Sequence, residues 1–317
     1  MNIKAVVVTY NRLELLKKSI QNLRQNEALN DIIVVNNGST DGTGEWLAQQ
    51  TGLNVVTQEN VGGSGGFFRG IQKAYEEGAD WIWCMDDDVF PHADCLAHLL
   101  EYADQKEVGI MSPRRLLEGK IFTHEFCHYD FSNPFASLHG KKLKFKEEQK
   151  AEHSENSEPS ENSEFSKEKA IPIVGCDFEG PFIRREVVEK IGLPNKDLFI
   201  FCDDTDYCLR AHLAGFQLLY VPDALMDKHK FFSDDTWTTR NQKKKWKRYY
   251  QVRNEAYLNH HYGHNWGVRY LRSFIGVIGY IIPAVFSMPF TKAWQWKDLS
   301  MLWEAYQHGI HEQLGKR

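Results

Sequence analysis

No two cysteines in this 317-residue chain stand in a C-x-x-C arrangement; the six present (Cys84, Cys95, Cys127, Cys176, Cys202 and Cys208) are dispersed. That spacing excludes a zinc ribbon or a small disulfide framework and fits a reducing compartment. Excess positive charge is missing too. Lys and Arg number 38 against 43 Asp and Glu, a formal charge of −5, so the chain is not a general polyanion-coating protein and no nucleic-acid partner is expected. Apolar content of 42% and charged content of 26% are ordinary, which excludes wholesale disorder and collagen-like repeats. No apolar run reaches the ~20 residues of a spanning helix. The opening MNIKAVVVTYNR enters a strand pattern directly, so no signal peptide is expected. The length suits one large domain or two modest ones with an ample core. Aromatics, at 13% with nine Trp, suit either a large core or a grip on planar or sugar-like ligands.

The first hundred residues alternate short β-rich runs with helical patterns. Strands are predicted at Ile3–Val8, Ile32–Val35, Val55–Thr57 and Trp81–Met85, and helices at Arg12–Arg24, Thr43–Gln50 and Phe67–Glu77. Such alternation means crossover units and a mostly parallel α/β sheet with helices on both faces. Ligands of such sheets sit beyond the carboxyl ends of the strands. Three polar clusters follow strands and should converge there: Thr9-Tyr10-Asn11-Arg12, Asn36-Asn37-Gly38-Ser39 and Asp86-Asp87-Asp88.

The composition then changes. Residues 141–169 collapse to Lys, Glu, Ser and Asn, including Ser-Glu-X triplets, and read as a flexible surface insertion. Beyond it, Ala170–Val174 and Phe216–Val221 are predicted strands, Arg185–Ile191 is a helix, and Leu198–Leu213 is a strand end leading into a helix. Residues 274–290, FIGVIGYIIPAVFSMPF, carry no charge. Pro283 and Pro289 argue against a span. Flanking Arg269, Arg272, Lys292, Trp294 and Trp296 fit an interfacial segment, and a buried helix pair is the other reading. The organisation expected is therefore 1–140, insertion 141–169, 170–260, and a helical region 261–317, membrane-peripheral on the interfacial reading.

Three consecutive aspartates after a buried strand need a neutralising partner, because adjacent like charges raise one another's pKa. Asp86 and Asp88 can point the same way and share Mg²⁺ or Mn²⁺, hard cations that also bridge phosphates. A solvated acidic turn is the plain alternative, less comfortable after Trp81–Met85. The segment Asn60–Gly66, NVGGSGG, allows close backbone approach ahead of a helix N-terminus, although a flexible turn explains it nearly as well. Within FIFCDDTDYCLR, Asp203, Asp204 and Asp206 exceed what N-capping needs, and a carboxylate in a cleft is a usual general base. His229, in MDKHK, is by itself a structural histidine as readily as a metal ligand.

Taken in order, TYNR, VVNNGSTDG, MDDD, FCDDTDYCLRA and the later histidine resemble the nucleotide-sugar domain of inverting family-two glycosyltransferases with the GT-A fold. With NVGGSGGFFRG added, the pattern is similar to bacterial galactofuranosyltransferases over roughly residues 1–260. The resemblance implies a cation held by Asp86, Asp88 and His229, with Asp204 as general base. It puts Thr9, Tyr10, Arg12, Asn37, Asn60, Gly63, Arg69, Asp86 and Asp87 on the nucleotide-sugar side, Asn37 standing where many relatives have aspartate. Asp203, Asp206, Arg253 and Asn254, with Tyr249 and Tyr250, fall on the acceptor or diphosphate side. The implied donor is a UDP-sugar, UDP-galactofuranose first, and the acceptor a glycan or lipid-linked saccharide in cell-surface polysaccharide synthesis. The implied location is cytoplasmic or at the cytoplasmic face of the membrane. Two alternatives remain open: a dTDP-rhamnose-dependent rhamnosyltransferase, and a nucleotide-sugar-binding subunit without catalysis.

Overall fold

The computed structural model describes residues 1–143, 169–231, 237–290 and 294–317. Most of the expected insertion, with its Ser-Glu-X triplets, and Lys292 lie outside the described residues. The first half runs β1 (Ile3–Thr9), α1 (Leu13–Leu23), β2 (Asp31–Asn36), α2 (Thr43–Ala48), β3 (Asn54–Thr57), α3 (Gly62–Glu76) and β4 (Trp81–Asp86). Next come β5 (Val89–Pro91), α4 (Cys95–Leu100), β6 (Val108–Leu117), β7 (Lys120–Phe122), β8 (Phe126–Tyr129) and β9 (His139–Lys142). The second half holds β10 (Ile171–Ile173), β11 (Phe182–Arg184), α5 (Arg185–Ile191), α6 (Asp203–Leu213) and β12 (Gln217–Lys228). Helices α7 (Trp237–Tyr262), α8 (Ser273–Ser287) and α9 (Trp296–Ile310) complete it, with a π-helical turn, Gly267–Arg272, leading into α8.

The main sheet has the order β10-β12-β6-β11-β4-β1-β2-β3. Strand β1 pairs in parallel with β2 and β4, and β6 with β12. Antiparallel β11 lies between β4 and β6 and joins the two parallel groups into one mixed sheet. Every residue of β1 is buried, as a strand covered on both faces requires. Its alternation sorts the core: Ile3, Ala5 and Val7 pack with Leu16, Ile20 and Leu23 of α1, while Val6 and Val8 pack with Phe67, Ile71 and Ala74 of α3.

Four features differ from the sequence reading. The strand end expected at Leu198 is instead the close of a 3-10 turn, Lys196–Leu198, followed by a loop with left-handed residues that cannot continue a strand. Helix α3 begins at Gly62 rather than Phe67, so the glycine segment is helical. Its glycines admit the sheet: a Cβ on Gly66 or Gly70 would come within 2.5 Å of Val8 or 2.2 Å of Val6. Strand β12 continues to Lys228, drawn on by its pairing with β6. Lys142 closes β9, so the lysine-rich composition at 141 starts inside a strand.

The apolar helix is largely uncovered. Gly267–Ser287 spans 21 residues with mean hydropathy 1.5, long and apolar enough to cross a membrane by length and composition, and only 22% of its most apolar stretch is buried. Ser273, Val277 and Ala284 form its buried stripe. Phe274, Ile275, Ile282, Val285 and Phe286 face outward, which does not match a buried helix pair. Pro283 sits inside α8 rather than ending it.

Candidate active site

A cavity of about 830 Å³ opens beyond the ends of β1, β2 and β4. Strand pairing explains the convergence: Thr9 is level with Asn36, and Val8 with Asp86, so the polar residues following all three strands emerge together. Asp86, Asp87 and Asp88 line the cavity, as do Thr9, Tyr10, Arg12, Asn37, Asn60, Gly63, Asp203 and Asp204.

The triplet divides into two roles. Asp87 faces β1: the Thr9 hydroxyl donates to it at 2.7 Å and Arg12 Nη1 at 3.0 Å. Arg12 also reaches Asp88 at 3.2 Å, and its guanidinium lies over the Phe231 ring at 4.5 Å. It therefore neutralises the triplet from within the protein. Asp86 and Asp88 instead gather with Glu179, one carboxylate oxygen of each lying within 4.8 Å of the others. Burial, then the charges of Asp88 and Glu179, push Asp86 well above the usual carboxylate range. Burial likewise raises Asp88, with Lys228 and Arg12 opposing. Lys228 Nζ lies 3.8 Å from Asp88 Oδ1 and balances part of the charge. Among the described residues that oxygen nonetheless has no hydrogen-bond partner, an expensive condition that a bound cation would remove. Three hard oxygen donors fit Mg²⁺ or Mn²⁺. His229 is not in this group: its backbone N–H donates to the Asp88 carbonyl at 2.9 Å, while its exposed ring packs edge-on against Phe231.

The second acidic motif also separates. Asp203 and Asp204 open α6 at the cavity wall. Burial raises Asp203 to about 6, and it drives Asp204 well above its ordinary value with help from the charges of Asp177 and Asp203. One oxygen of Asp204 accepts from the Thr205 N–H at 2.6 Å. Asp206 turns away from the cavity, accepting from Tyr262 at 2.7 Å and Arg210 at 2.9 Å. It is a structural anchor.

The loop before α6 holds Phe199, Phe201 and Cys202 at φ of +66°, +70° and +65°. Left-handed non-glycine residues persist only where the surroundings over-determine them. Here Arg253 and Asn254 do so. Arg253 Nη2 donates to Leu198 O at 2.8 Å, and the Asn254 amide lies 2.8–2.9 Å from the carbonyls of Leu198, Ile200 and Phe201. Both side chains are buried behind the cavity rather than lining it, as is Tyr249, whereas Tyr250 lines it. Gly62, at φ +79°, passes so close to Phe199 that a Cβ would lie 2.0 Å from its carbonyl oxygen. Asn37 spends its side chain on this junction, donating to Gly62 O at 2.9 Å and accepting from Gln58 at 3.0 Å. Asn60 accepts from the Gly62 N–H at 3.0 Å. Arg69 lies on the exposed face of α3, bonded to Gln72, away from the cavity.

The model of glycosyl transferase family 2 matches residues 5–192. The chain belongs to that family. A second model, glycosyl transferase family group 2, matches residues 163–303. Among curated relatives, the galactofuranosyltransferase GlfT1 of Mycobacterium tuberculosis is 29% identical over 220 residues, 67% of this chain and 64% of that protein. The match thus spans somewhat less than two thirds of that relative. GlfT1 of Mycolicibacterium smegmatis is 27% identical over 80% of this chain and 82% of its own. The dTDP-rhamnosyl transferase RfbF of Shigella flexneri is 25% identical over 71% and 68%. The solved structure of GalNAc-T7 with UDP, GalNAc and Mn²⁺ superposes with TM-score 0.56 at 12% identity, over 98% of this chain and 56% of that one. It supports the GT-A fold.

This family-two site includes residues the sequence reading missed. Glu179 arrives through the pairing of β11 with β4, Gly180 N–H donating to Cys84 O at 2.9 Å. Trp246, Lys247, Lys316 and Arg317 also line the cavity. Only the acidic DFEG stretch around Glu179 and the aromatic-basic WKR and GKR runs hinted at them.

Proposed function

We propose that this protein is an inverting, cation-dependent glycosyltransferase that moves a sugar from a nucleotide-sugar donor, UDP-galactofuranose first, to a glycan or lipid-linked acceptor. The observation that carries the reading is the pairing, in one cavity, of the Asp86–Asp88–Glu179 group with the raised carboxylate of Asp204. Those three acids are the residues that would hold Mg²⁺ or Mn²⁺. A cation there supplies charge stabilisation for the departing nucleoside diphosphate. Arg12 keeps Asp87 and Asp88 in place, and Thr9 orients Asp87. Asp204 accepts the proton of the acceptor hydroxyl as it attacks the anomeric carbon. Attack from the side opposite the leaving group inverts the anomeric configuration, and positioning and charge stabilisation suffice without a covalent enzyme intermediate.

The galactofuranosyl relatives support the donor assignment; the rhamnosyl relative supports dTDP-rhamnose as a second reading. The uncovered face of α8, with Phe274 and Phe286 exposed, together with exposed Phe290 just after it and neighbouring Trp266, Trp296 and Trp303, supports contact with a membrane surface, where a lipid-linked acceptor would lie. The test is nucleoside diphosphate release from a donor panel, with and without EDTA. UDP-galactofuranose should lead; turnover of dTDP-rhamnose alone selects the second reading. Binding without turnover of any donor selects the non-catalytic subunit.

A further inference from the structure

Among the described residues, seven acids line the cavity: Asp86, Asp87, Asp88, Asp177, Glu179, Asp203 and Asp204. Behind the wall Arg115 pairs with Asp177 and Glu179, and Lys228 with Glu179; the Lys and Arg side chains that line the cavity itself, among the described residues, are Arg12, Lys247, Lys316 and Arg317. A nucleoside diphosphate carries its own negative charge into this wall. Arg12 is committed to Asp87 and Asp88 at 3.0 and 3.2 Å. The remaining cations stand on other elements.

Residues Gly315–Arg317 are secured at the cavity rim by several independent bonds. Gly315 N–H donates to Asp197 O at 2.7 Å, and Gly315 O accepts from Arg253 Nη1 at 2.5 Å. The Arg317 N–H donates to the Tyr250 hydroxyl at 2.9 Å. Lys316 Nζ crosses to Asn60 O, beside the glycine segment, at 2.9 Å. The buried Arg253 thus holds this segment with the same guanidinium that braces the loop bearing Asp203 and Asp204. The charged tips keep capacity for a ligand. An ammonium has three donors and this carbonyl uses one. Arg317 pairs with Glu304 at 2.9 Å, but both side chains are 40–45% exposed, so the pair is weak and readily exchanged.

We propose that Lys316 and Arg317 are diphosphate-binding residues of the donor pocket, answering the acidic cation-holding group from the other side of the phosphates. The inference rests on the nucleotide-sugar reading and adds which residues meet the phosphates. Charge-assisted bonds to phosphate are stronger than neutral ones and salt-sensitive.

The test compares wild type with the Lys316→Gln/Arg317→Gln double variant, with Mn²⁺ present, using UDP or dTDP, whichever wild type binds more tightly, and the matching nucleoside by ligand-observed NMR. The double variant should bind the diphosphate about tenfold more weakly or worse, keep its nucleoside affinity and melt within a few degrees of wild type. The charge-retaining Lys316→Arg/Arg317→Lys variant should recover most of the loss, and added salt should narrow the gap. Equal diphosphate affinity in wild type and double variant overturns the assignment while leaving the nucleotide-sugar reading intact. Parallel loss of diphosphate and nucleoside affinity also overturns it, since the segment would then only shape the cavity. No binding of either diphosphate by wild type sinks both.

Discussion

The side-chain amide of Asn254 lies 2.8 Å from the carbonyl oxygen of Phe201, two residues before the acid pair that opens α6. One buried amide in the long helix α7 thereby fixes the exit of a strained loop and, through it, the direction in which Asp203 and Asp204 point.

Asn254→Ala should therefore cost about 2–4 kcal/mol of stability, because it takes the Asn254 donor from the carbonyls at 200 and 201 in a buried setting, while Leu198 O keeps Arg253. Urea unfolding measures this. Transfer should fall more than nucleotide affinity, since the lost contact supports α6 rather than the ends of the parallel strands. A variant as stable as wild type would show that Arg253 alone braces the loop.

Asp88→Ala and Glu179→Gln should each weaken Mn²⁺ binding by more than about tenfold, the scale on which even outer-shell partners act. His229→Ala should leave it nearly unchanged, because the ring stands outside the carboxylate group. Titration calorimetry with the metal alone decides between them. A large loss in His229→Ala would restore the histidine as a ligand.

Asp204→Asn should lose transfer by ~10²–10⁴, the usual contribution of a positioned base, with nucleotide affinity near wild type. It should also raise the melting temperature at neutral pH, because it removes a carboxylate that burial disfavours in its charged form. Asp206→Asn should do the reverse. Losing its charged pairing with Arg210, a quarter exposed, should cost about 1–3 kcal/mol of stability, with only indirect loss of turnover.

Asp203 supplies a pH signature. Its carboxyl is raised from the ordinary 3.8 to about 6, so the folded state holds the proton more tightly than the unfolded chain. Its contribution should decline as pH rises from about 4 to about 6 and stay low above that. Asp203→Asn should flatten the stability–pH curve across that window. An unchanged curve would place the titrating group elsewhere.

The exposed face of α8 and the turn that follows it should carry vesicle binding. Wild type is expected to co-sediment with anionic vesicles, and replacing Phe286 and Phe290 by Asp should abolish this while leaving hydrolysis of soluble donor unchanged. Wild type that ignores vesicles rules out the membrane role.

The N-terminal half of the site was legible because its chemistry sits at the ends of strands, where apolar runs announce β1, β2 and β4 and the residues that follow them. Glu179 was not, because strand pairing across 95 residues carries its neighbour Gly180 to Cys84. In sequence the glycine segment reads as non-helical chain ahead of the helix at Phe67, because glycine is the weakest helix former after proline; close packing on Val6 and Val8 overrides that preference. Arg253 and Asn254 look in sequence like ligand contacts, since a polar pair that braces carbonyls has the same letters as one that grips phosphate. The resemblance to galactofuranosyltransferases located the acid motifs, but the position of Lys316 and Arg317 depends on a fold-back that no local pattern records.

Strand β11 has a consequence for when the site comes into being. Asp86 ends and Asp88 follows a strand, β4, whose parallel partner β1 comes from the first nine residues, but Glu179 is delivered only when β11 seats between β4 and β6. Contacts so distant along the chain close after local ones, because loop entropy must be overcome first. The complete carboxylate group is therefore a late product of folding. A refolding chain should gain tight Mn²⁺ binding only as the two parallel groups join, so the metal would time that event.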